Sequence, residues 1–226
     1  SRCRGCCRFS RPRPGCDALR PGLSPWNWDR IEVNRVNDPA LKSLEGRSIA
    51  DIAAERNADP VDTFLDVAVE DNLETSYNMP LFNTNDKLCS ELFSDPRTIV
   101  SLSDGGAHAD MLCDAGFSTY MLGYWVREQK AISLETAVKR LSADQADFYG
   151  LQDRGRVKAG QAADIVLFDA DTVGSPLKPE MVHDFPGGCR RLITRPTGVA
   201  RVIVNGESIL VDSQETGKMP GQMVQN

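Results

Sequence analysis

The sequence has few histidines, no long apolar run and no regular cysteine framework. It contains two histidines in 226 residues, His108 and His183, and no second histidine or cysteine stands near either at a spacing typical of metal ligands. No stretch approaches the ~18 consecutive apolar residues of a membrane span. The basic first residues are followed by no apolar run of the signal-peptide type. We therefore expect a cytoplasmic protein without a membrane partner.

The seven cysteines are unevenly spread, and this argues against a disulfide framework. Four lie in the first sixteen residues, and the remaining three are scattered at Cys89, Cys113 and Cys189. Acidic residues outnumber basic ones by 32 to 26, which gives a net charge of −6. This balance argues against a nucleic-acid-binding surface over the body of the chain.

Residues 1–23 differ in composition from the rest of the chain. Three prolines interrupt any helical or strand periodicity, so we expect an irregular tail or a sequence that is not native to the domain behind it. Two alternatives remain open. The cysteines could offer thiolates to zinc, although only one closely spaced pair, Cys3 and Cys6, is present. The arginines could form an arm that touches nucleic acid.

Residues 24–150 carry helix signals followed by a single strand signal. Ser48 is a predicted N-cap, and a second helix begins at Asp59-Pro60 with an apolar stripe that we expect to face the core. That stripe consists of Val61, Phe64, Leu65, Ala68 and Val69. A third helix is predicted near 85–94, with Leu88, Leu92 and Phe93 on one side.

Arg97–Ser103 is a short β-branched run between Pro96 and Asp104-Gly105-Gly106, so it predicts a strand. Beyond it, an aromatic stripe from Phe117 to Trp125 has helical spacing typical of core packing. Ser133 is the predicted N-cap of a further helix, and Gly150 the residue at which the helical region ends.

Residues 151–226 are predicted to be mostly β. The run 163–169 contains four consecutive apolar residues, which favours a strand buried on both faces. Strands over 199–204 and 208–211 are joined through Asn205-Gly206, a strong signal for a hairpin with a two-residue turn.

Asp104 is the candidate for chemistry. A carboxylate at the carboxyl end of a strand, followed by two glycines that allow close approach, is an arrangement that α/β barrels use for catalytic groups. Such a carboxylate can contact a divalent cation and move a proton. Asp-Gly-Gly is equally a common solvent-facing turn, so both interpretations stand at this point. His108 could contact a substrate or hold the Asp104 carboxylate as its partner, whereas we expect His183 to be solvated and Cys113 to be a packed thiol.

Three blocks together resemble the amidohydrolase superfamily, in the group that contains D-aminoacylase and other N-acyl-D-amino-acid deacylases. They are SDGGAHADMLCDAGFSTYMLGYWVREQKAISLETAV, DRGRVKAGQAADIVLFD, and DFPGG with GVARVIVNGE. The resemblance runs from Trp26 to the C-terminus. It implies the C-terminal portion of a (β/α)8 TIM-like barrel in residues 24–150, followed by a small β-sandwich portion in residues 151–226.

The resemblance also implies a zinc-dependent hydrolase that acts on the amide bond of a small N-acyl amino acid. Asp104 would be the aspartate that ends the eighth strand, contacts the metal and shuttles a proton, and Gly105, Gly106 and His108 would contact the substrate. The His-x-His pair and further single histidines of the family have no match in this sequence. One hypothesis is therefore a C-terminal fragment that is inactive alone and self-associates through exposed barrel edges. The alternative is a non-catalytic binding or assembly protein built on an amidohydrolase remnant.

Overall fold

The computed structural model describes residues 27–80, 82–103, 105 and 108–224. These fall in two compact units that divide between Asp86 and Lys87. The predictions for the tail at residues 1–23, including its cysteines, lie outside the described residues. No helix in the described ranges is long and apolar enough to cross a membrane.

The first unit places two helices beside a two-stranded sheet. Strand β1 (Glu32–Arg35) pairs antiparallel with β2 (Ser76–Asn78), with Val33 opposite Tyr77. Between them lie a 3₁₀ turn (Pro39–Leu44) and helices α1 (Ile49–Arg56) and α2 (Pro60–Glu70). The apolar side chains buried in this unit form one cluster: Ile31, Val33, Val36, Leu44, Ile49, Ile52 and Val67.

Side-chain caps start both helices of the first unit, as predicted. The Ser48 hydroxyl accepts the N–H of Asp51 at 3.0 Å, and the Asp59 carboxylate accepts that of Val61 at 2.8 Å. Each bond satisfies a backbone donor that has no partner within its helix. Helix α1 ends at Asn57, which adopts the left-handed conformation with φ of 51°.

The predicted inward face of α2 is partly wrong. Thr63 and Val67 are fully buried and Phe64 of the predicted stripe packs against the buried cluster, whereas Val61, Leu65 and Val69 are 47%, 53% and 67% exposed. The buried side of the helix is therefore rotated relative to the prediction, and these last three side chains lie at the surface of this unit.

The second unit begins with helices. They are α3 (Asp86–Ser94), α4 (Phe117–Tyr120) with a π-helical continuation (Met121–Glu128), α5 (Leu134–Leu141) and α6 (Ala143–Phe148). Ser133 caps α5 by accepting the N–H of Thr136 at 3.2 Å, and Gly150 has a φ of 72° beyond α6, as predicted.

The aromatic stripe is core packing, as expected. Met121 and Trp125 are buried, and the Trp125 ring meets Phe93 edge-on at 4.9 Å between centroids. On α3, Leu88 and Leu92 are more than half exposed, whereas Cys89 is buried and Phe93 packs against the cluster of Met121, Leu122, Ala137 and Val173.

The predicted strand over 97–103 is wrong for the structure described here. Residues 98–103 adopt no regular secondary structure, and no strand of the described residues pairs with them. β-branched residues favour extended backbone, but a strand exists only where a neighbour supplies the ladder hydrogen bonds. The sheet neighbours that the barrel interpretation requires are not found among the described strands.

The remainder is predominantly β, as predicted. Strands β3 (Ile165–Phe168), β6 (Val199–Val204), β7 (Glu207–Val211) and β8 (Gln214–Glu215) form an antiparallel sheet in the order β3-β6-β7-β8. Strands β4 (Glu180–Val182) and β5 (Arg191–Ile193) form a separate hairpin.

Two local predictions for this β region have opposite outcomes. The β6–β7 hairpin turns at Asn205 and Gly206 with φ of 47° and 82°, the positive values that a type I′ turn requires. In contrast, β3 is not buried on both faces, since Val166 and Leu167 are about half exposed. Because consecutive side chains point to opposite faces of a strand, both faces of this edge strand are partly open to solvent.

Candidate functional site

Gly105 and His108, the described members of the predicted site, lie in turns between α3 and α4. Asp104 and Gly106 are outside the described residues. The Gly105 N–H donates to the Ser103 hydroxyl at 3.3 Å. His108 is exposed, and its carbonyl accepts the N–H groups of Met111 at 2.7 Å and Leu112 at 3.0 Å. The structure thus presents Gly105 and His108 at the surface of their unit, where a small molecule can reach them.

The upstream segment (residues 95–103) is held by α5 and α6. The Arg140 guanidinium donates to the Asp95 carbonyl at 2.9 Å and to the Thr98 hydroxyl at 2.8 Å. The Gln145 side-chain amide donates to the Val100 carbonyl. These contacts fix the backbone that leads into Asp104.

The downstream segment (residues 108–116) is held by the β4–β5 hairpin and the residue after it. The Leu192 N–H donates to the Ala109 carbonyl at 2.6 Å. The Arg190 guanidinium pairs with the Asp110 carboxylate at 3.1 Å. The Thr194 hydroxyl donates to the Cys113 carbonyl at 3.3 Å and lies 3.5 Å from the Cys113 sulfur. The half-buried Cys113 is therefore in contact with the β region, in line with a packed thiol.

The end of the downstream segment is packed too closely for a side chain. A Cβ added at Gly116 would lie 2.4 Å from the Ser175 Oγ and 2.6 Å from the Thr194 Cγ2. The Ser175 hydroxyl also donates to the Gly116 carbonyl at 3.1 Å. The upstream segment is consequently tethered by helices, and the downstream segment by the β region.

Several of the described carboxylates are ion-pair partners, and their pKa values are shifted accordingly. Hydrogen bonds from Arg97 hold the pKa of Asp95 below its usual range, and those from Arg191 do the same for Asp184. The Lys139 ammonium likewise lowers the pKa of Asp144. A general acid near neutral pH needs a raised carboxyl pKa instead. Among the described carboxyl groups, those with a shifted pKa are all shifted downward.

The described residues do not fit a complete metal site. They contain no group of three or more histidine, cysteine, aspartate or glutamate side chains placed to hold a metal ion. His183 is exposed on the loop after β4, as a solvated histidine is expected to be. A catalytic zinc takes about three protein ligands, so a single carboxylate such as Asp104 needs further donors from elsewhere.

Sequence reasoning missed Arg140 and Gln145. The helical periodicity of α5 could have indicated Arg140, because Arg140 lies three residues after the buried Ala137 and beside the inward Leu141. A charged residue at an inward position indicates a paired or functional group. Gln145 follows the same pattern less clearly, since it is only partly buried.

Comparisons with known proteins cover most of the chain. The model of the amidohydrolase family matches residues 28–209. An uncharacterised protein of Mycobacterium tuberculosis is 30% identical over 202 residues, covering 83% of this chain and 33% of that protein. The N-acyl-D-glutamate deacylase of Alcaligenes xylosoxydans xylosoxydans is 29% identical over 217 residues, covering 94% of this chain and 40% of that protein.

Two solved structures of D-aminoacylase also match, each 26% identical and covering 84% of this chain, with TM-scores of 0.50 and 0.51. One of them concerns a binuclear metal centre in that enzyme. The chain spans 36% of these structures and 33% to 40% of the two relatives above, so it corresponds to little more than a third of their length. The likeness shows an α/β fold related to the TIM barrel. The chain belongs to the amidohydrolase family, in the group of D-aminoacylase.

Proposed function

We propose that this chain is the C-terminal portion of a metal-dependent amidohydrolase that hydrolyses the amide bond of N-acyl-D-amino acids. The observation that carries the proposal is the family match over residues 28–209, together with a deacylase relative that aligns with 94% of the chain. The substrate class rests on the names of such relatives, which act on N-acyl-D-glutamate and N-acyl-D-aspartate. The chain alone is then expected to be inactive.

The proposed role of Asp104 is to move a proton at the scissile amide. Water attacks the carbonyl carbon, the C–N bond breaks, and the departing nitrogen must gain a proton to leave as an amine. The Asp104 carboxylate accepts the proton that the water loses and passes it to that nitrogen. The anchoring of the upstream and downstream segments supports this role, because proton transfer requires a carboxylate held within hydrogen-bond reach.

Zinc is the proposed metal, with Asp104 as one contact. The described residues do not supply a full set of ligands, so the proposal places the others in a longer polypeptide. Gly105, Gly106 and His108 are the proposed substrate contacts, with His108 and Gly105 exposed as such contacts need to be.

A non-catalytic assembly protein is the second candidate. The exposed apolar side chains on α2 favour it, because exposed apolar surface is typical of protein contacts. The two candidates differ in their dependence on Asp104. Only the hydrolase requires that carboxylate for activity.

The test begins with the genomic DNA upstream of the Trp26 codon, read in all frames. A longer protein encoded there is purified, its zinc is counted by mass spectrometry, and it is assayed with the D and L forms of N-acetylglutamate, N-acetylaspartate and N-acetylleucine. We expect bound zinc, hydrolysis of the D forms, and a loss of about 10²–10⁴ in kcat for Asp104→Asn.

Asp114→Asn is the matched control, because Asp114 is an exposed acid ten residues further along the same turn region. It is expected to change kcat by less than about twofold. Full turnover in Asp104→Asn would remove the catalytic assignment. The absence of a His-x-His block upstream, with no hydrolysis of any substrate, would favour the assembly protein.

A further inference from the structure

We propose that the outer side of α2 is a docking site for a cationic amphipathic helix of a partner protein. The site has two components, an apolar ridge and a row of carboxylates along one flank of that ridge. The ridge consists of Val61, Leu65 and Val69, and the carboxylates belong to Asp62 and Asp66. None of these five residues is a candidate catalytic residue, so the inference is independent of the proposed hydrolase function.

The apolar ridge lies on the side of α2 that faces away from the core of its unit. Its three side chains are spaced four residues apart, so they follow one another along a single line of the helix surface. Each is between 47% and 67% exposed, whereas Thr63 and Val67 on the opposite side of the helix are fully buried. A row of exposed aliphatic side chains on a helix is typical of a contact surface between proteins.

The carboxylates of Asp62 and Asp66 form no ion pair with the residues that the structure describes. Each follows a ridge residue by one position and is exposed, so the two lie along the same flank of the ridge. The ion pairs found in the described part of this unit join other residues: Lys42 to Glu45, Arg47 to Glu55 and Arg56 to Glu70. Two carboxylates beside the ridge are thus available to a cation from another molecule.

The charge of the whole unit has the same sign as this flank. Residues 27–86 carry thirteen acidic and five basic side chains, whereas the full chain carries 32 acidic and 26 basic ones. The unit therefore attracts a cationic partner over about the Debye length, which is ~10 Å at 0.1 M salt. Nucleic acids and anionic lipid surfaces have the opposite sign of charge from such a partner and are repelled.

A helix with cations beside its own apolar residues matches both components of the site. Its apolar side chains can pack along the ridge of α2, while its lysine or arginine side chains reach Asp62 and Asp66. A second copy of α2 matches the ridge alone, because it brings the same carboxylates to the interface. Self-association through this side of α2 is therefore expected to be weaker than binding of a cationic helix.

The test is a titration of the purified chain into a fluorescent helical peptide that has leucine at every fourth position and lysine in between. Binding is measured by fluorescence anisotropy. It is expected to weaken severalfold when the salt concentration is raised from about 0.05 M to about 0.5 M, because salt screens the charges. A peptide with glutamate in place of every lysine keeps the leucines and is expected not to bind.

Substitutions on α2 locate the binding site. Asp66→Lys is expected to raise the dissociation constant of the lysine peptide about tenfold or more, because it turns an attraction into a repulsion. Leu65→Lys, which interrupts the ridge, should act in the same direction. Asp29→Lys is the matched control with the same change of charge, since Asp29 is an exposed acid of this unit outside α2. It should change the constant by less than about twofold, and melting curves establish that every variant is folded.

Three outcomes would overturn the proposal. The first is equal binding of the lysine peptide by the parent chain and by Asp66→Lys. The second is self-association that depends on Leu65 in a chain that binds no peptide, which would make a second copy the occupant. The third is peptide binding that begins only after residues 1–26 are removed, which would make this arginine-rich segment of the same chain the occupant.

Discussion

The Asp71 carboxylate accepts the backbone N–H of Asn37 with both of its oxygens, at 2.9 and 3.0 Å. It also accepts the N–H of Asp38 at 2.7 Å and the hydroxyl of Thr75 at 2.8 Å, although its residue is only 1% exposed. Burial raises the pKa of Asp71, but these hydrogen bonds outweigh it, and the pKa lies below its usual value. One buried anion thereby ties the end of α2 to the chain after β1.

Replacing Asp71 with asparagine is expected to destabilise the first unit. The asparagine amide would turn N–H donors toward backbone N–H groups, so buried donors lose their acceptor. We expect the melting temperature to fall by about 5 °C or more at pH 7. The exposed Asp66→Asn on the same helix is the control and is expected to change it little.

The difference in melting temperature between the parent chain and Asp71→Asn depends on pH in a defined direction. Because the folded pKa is lowered, the stabilisation is complete above the usual aspartate pKa of ~3.9 and is lost as the pH falls through the lower folded value. Melting curves of the parent chain and of Asp71→Asn should therefore converge only in strong acid. A constant difference down to the lowest pH would contradict the hydrogen-bond account.

Gly123 is expected to be intolerant of alanine. A Cβ there would lie 2.8 Å from the Val173 carbonyl oxygen and 3.0 Å from the Gly174 Cα, and backbone atoms cannot swing aside. Gly123→Ala should lower the free energy of unfolding by about 1–3 kcal/mol, as measured by urea denaturation. Gly174→Ala tests the opposite side of the same contact, where the nearest atom is at 3.6 Å, and is expected to cost less than about 0.5 kcal/mol. Equal effects of the two substitutions would count against this packing.

The chain by itself is expected to hold no stoichiometric zinc. The described residues offer no cluster of metal ligands, and a stable site needs about three or four of them. Mass spectrometry after dialysis should find less than about 0.1 zinc per chain. If about one zinc is found, the double variant Cys3→Ser, Cys6→Ser decides its place. Zinc that disappears in this variant belongs to the tail, and zinc that remains contradicts the prediction.

Self-association is expected through the exposed apolar side of α2. Leu65 is 53% exposed between Val61 and Val69, and burial of such a side chain contributes about 1.5–3 kcal/mol. Light scattering should show mass increasing with concentration, and Leu65→Lys should raise the dissociation constant about tenfold or more. The neighbouring Asp66→Lys, which adds the same charge beside the stripe, should have a smaller effect. A parent chain that stays monomeric at all concentrations would refute the prediction.

Local chemistry explains which sequence predictions were confirmed. The N-caps Ser48, Asp59 and Ser133 and the Asn205-Gly206 turn each depend on one side chain or one backbone conformation, with the partner a few residues away. Such interactions can be predicted from the sequence, because the two groups are close along the chain. They meet regardless of which other parts of the protein pack against them.

The sequence predicted a turn around the candidate site residues but not the contacts that surround it. Gly105 and His108, which are described, are found in turns. The partners that tether this turn, such as Arg140 and Leu192, lie tens of residues away along the chain. No short-range sequence pattern predicts these partners.

The sequence by itself determined where α1, α2 and α5 begin and where the β6–β7 hairpin turns, and it identified the family through the order of its blocks. Tertiary structure alone decided which side of α2 is buried, that residues 98–103 form no strand, and that a charged Asp71 lies in the interior. The physical reason is the distance along the chain between the interacting residues. Caps and tight turns are satisfied within a few residues, whereas burial and strand pairing depend on surfaces supplied by distant parts of the chain.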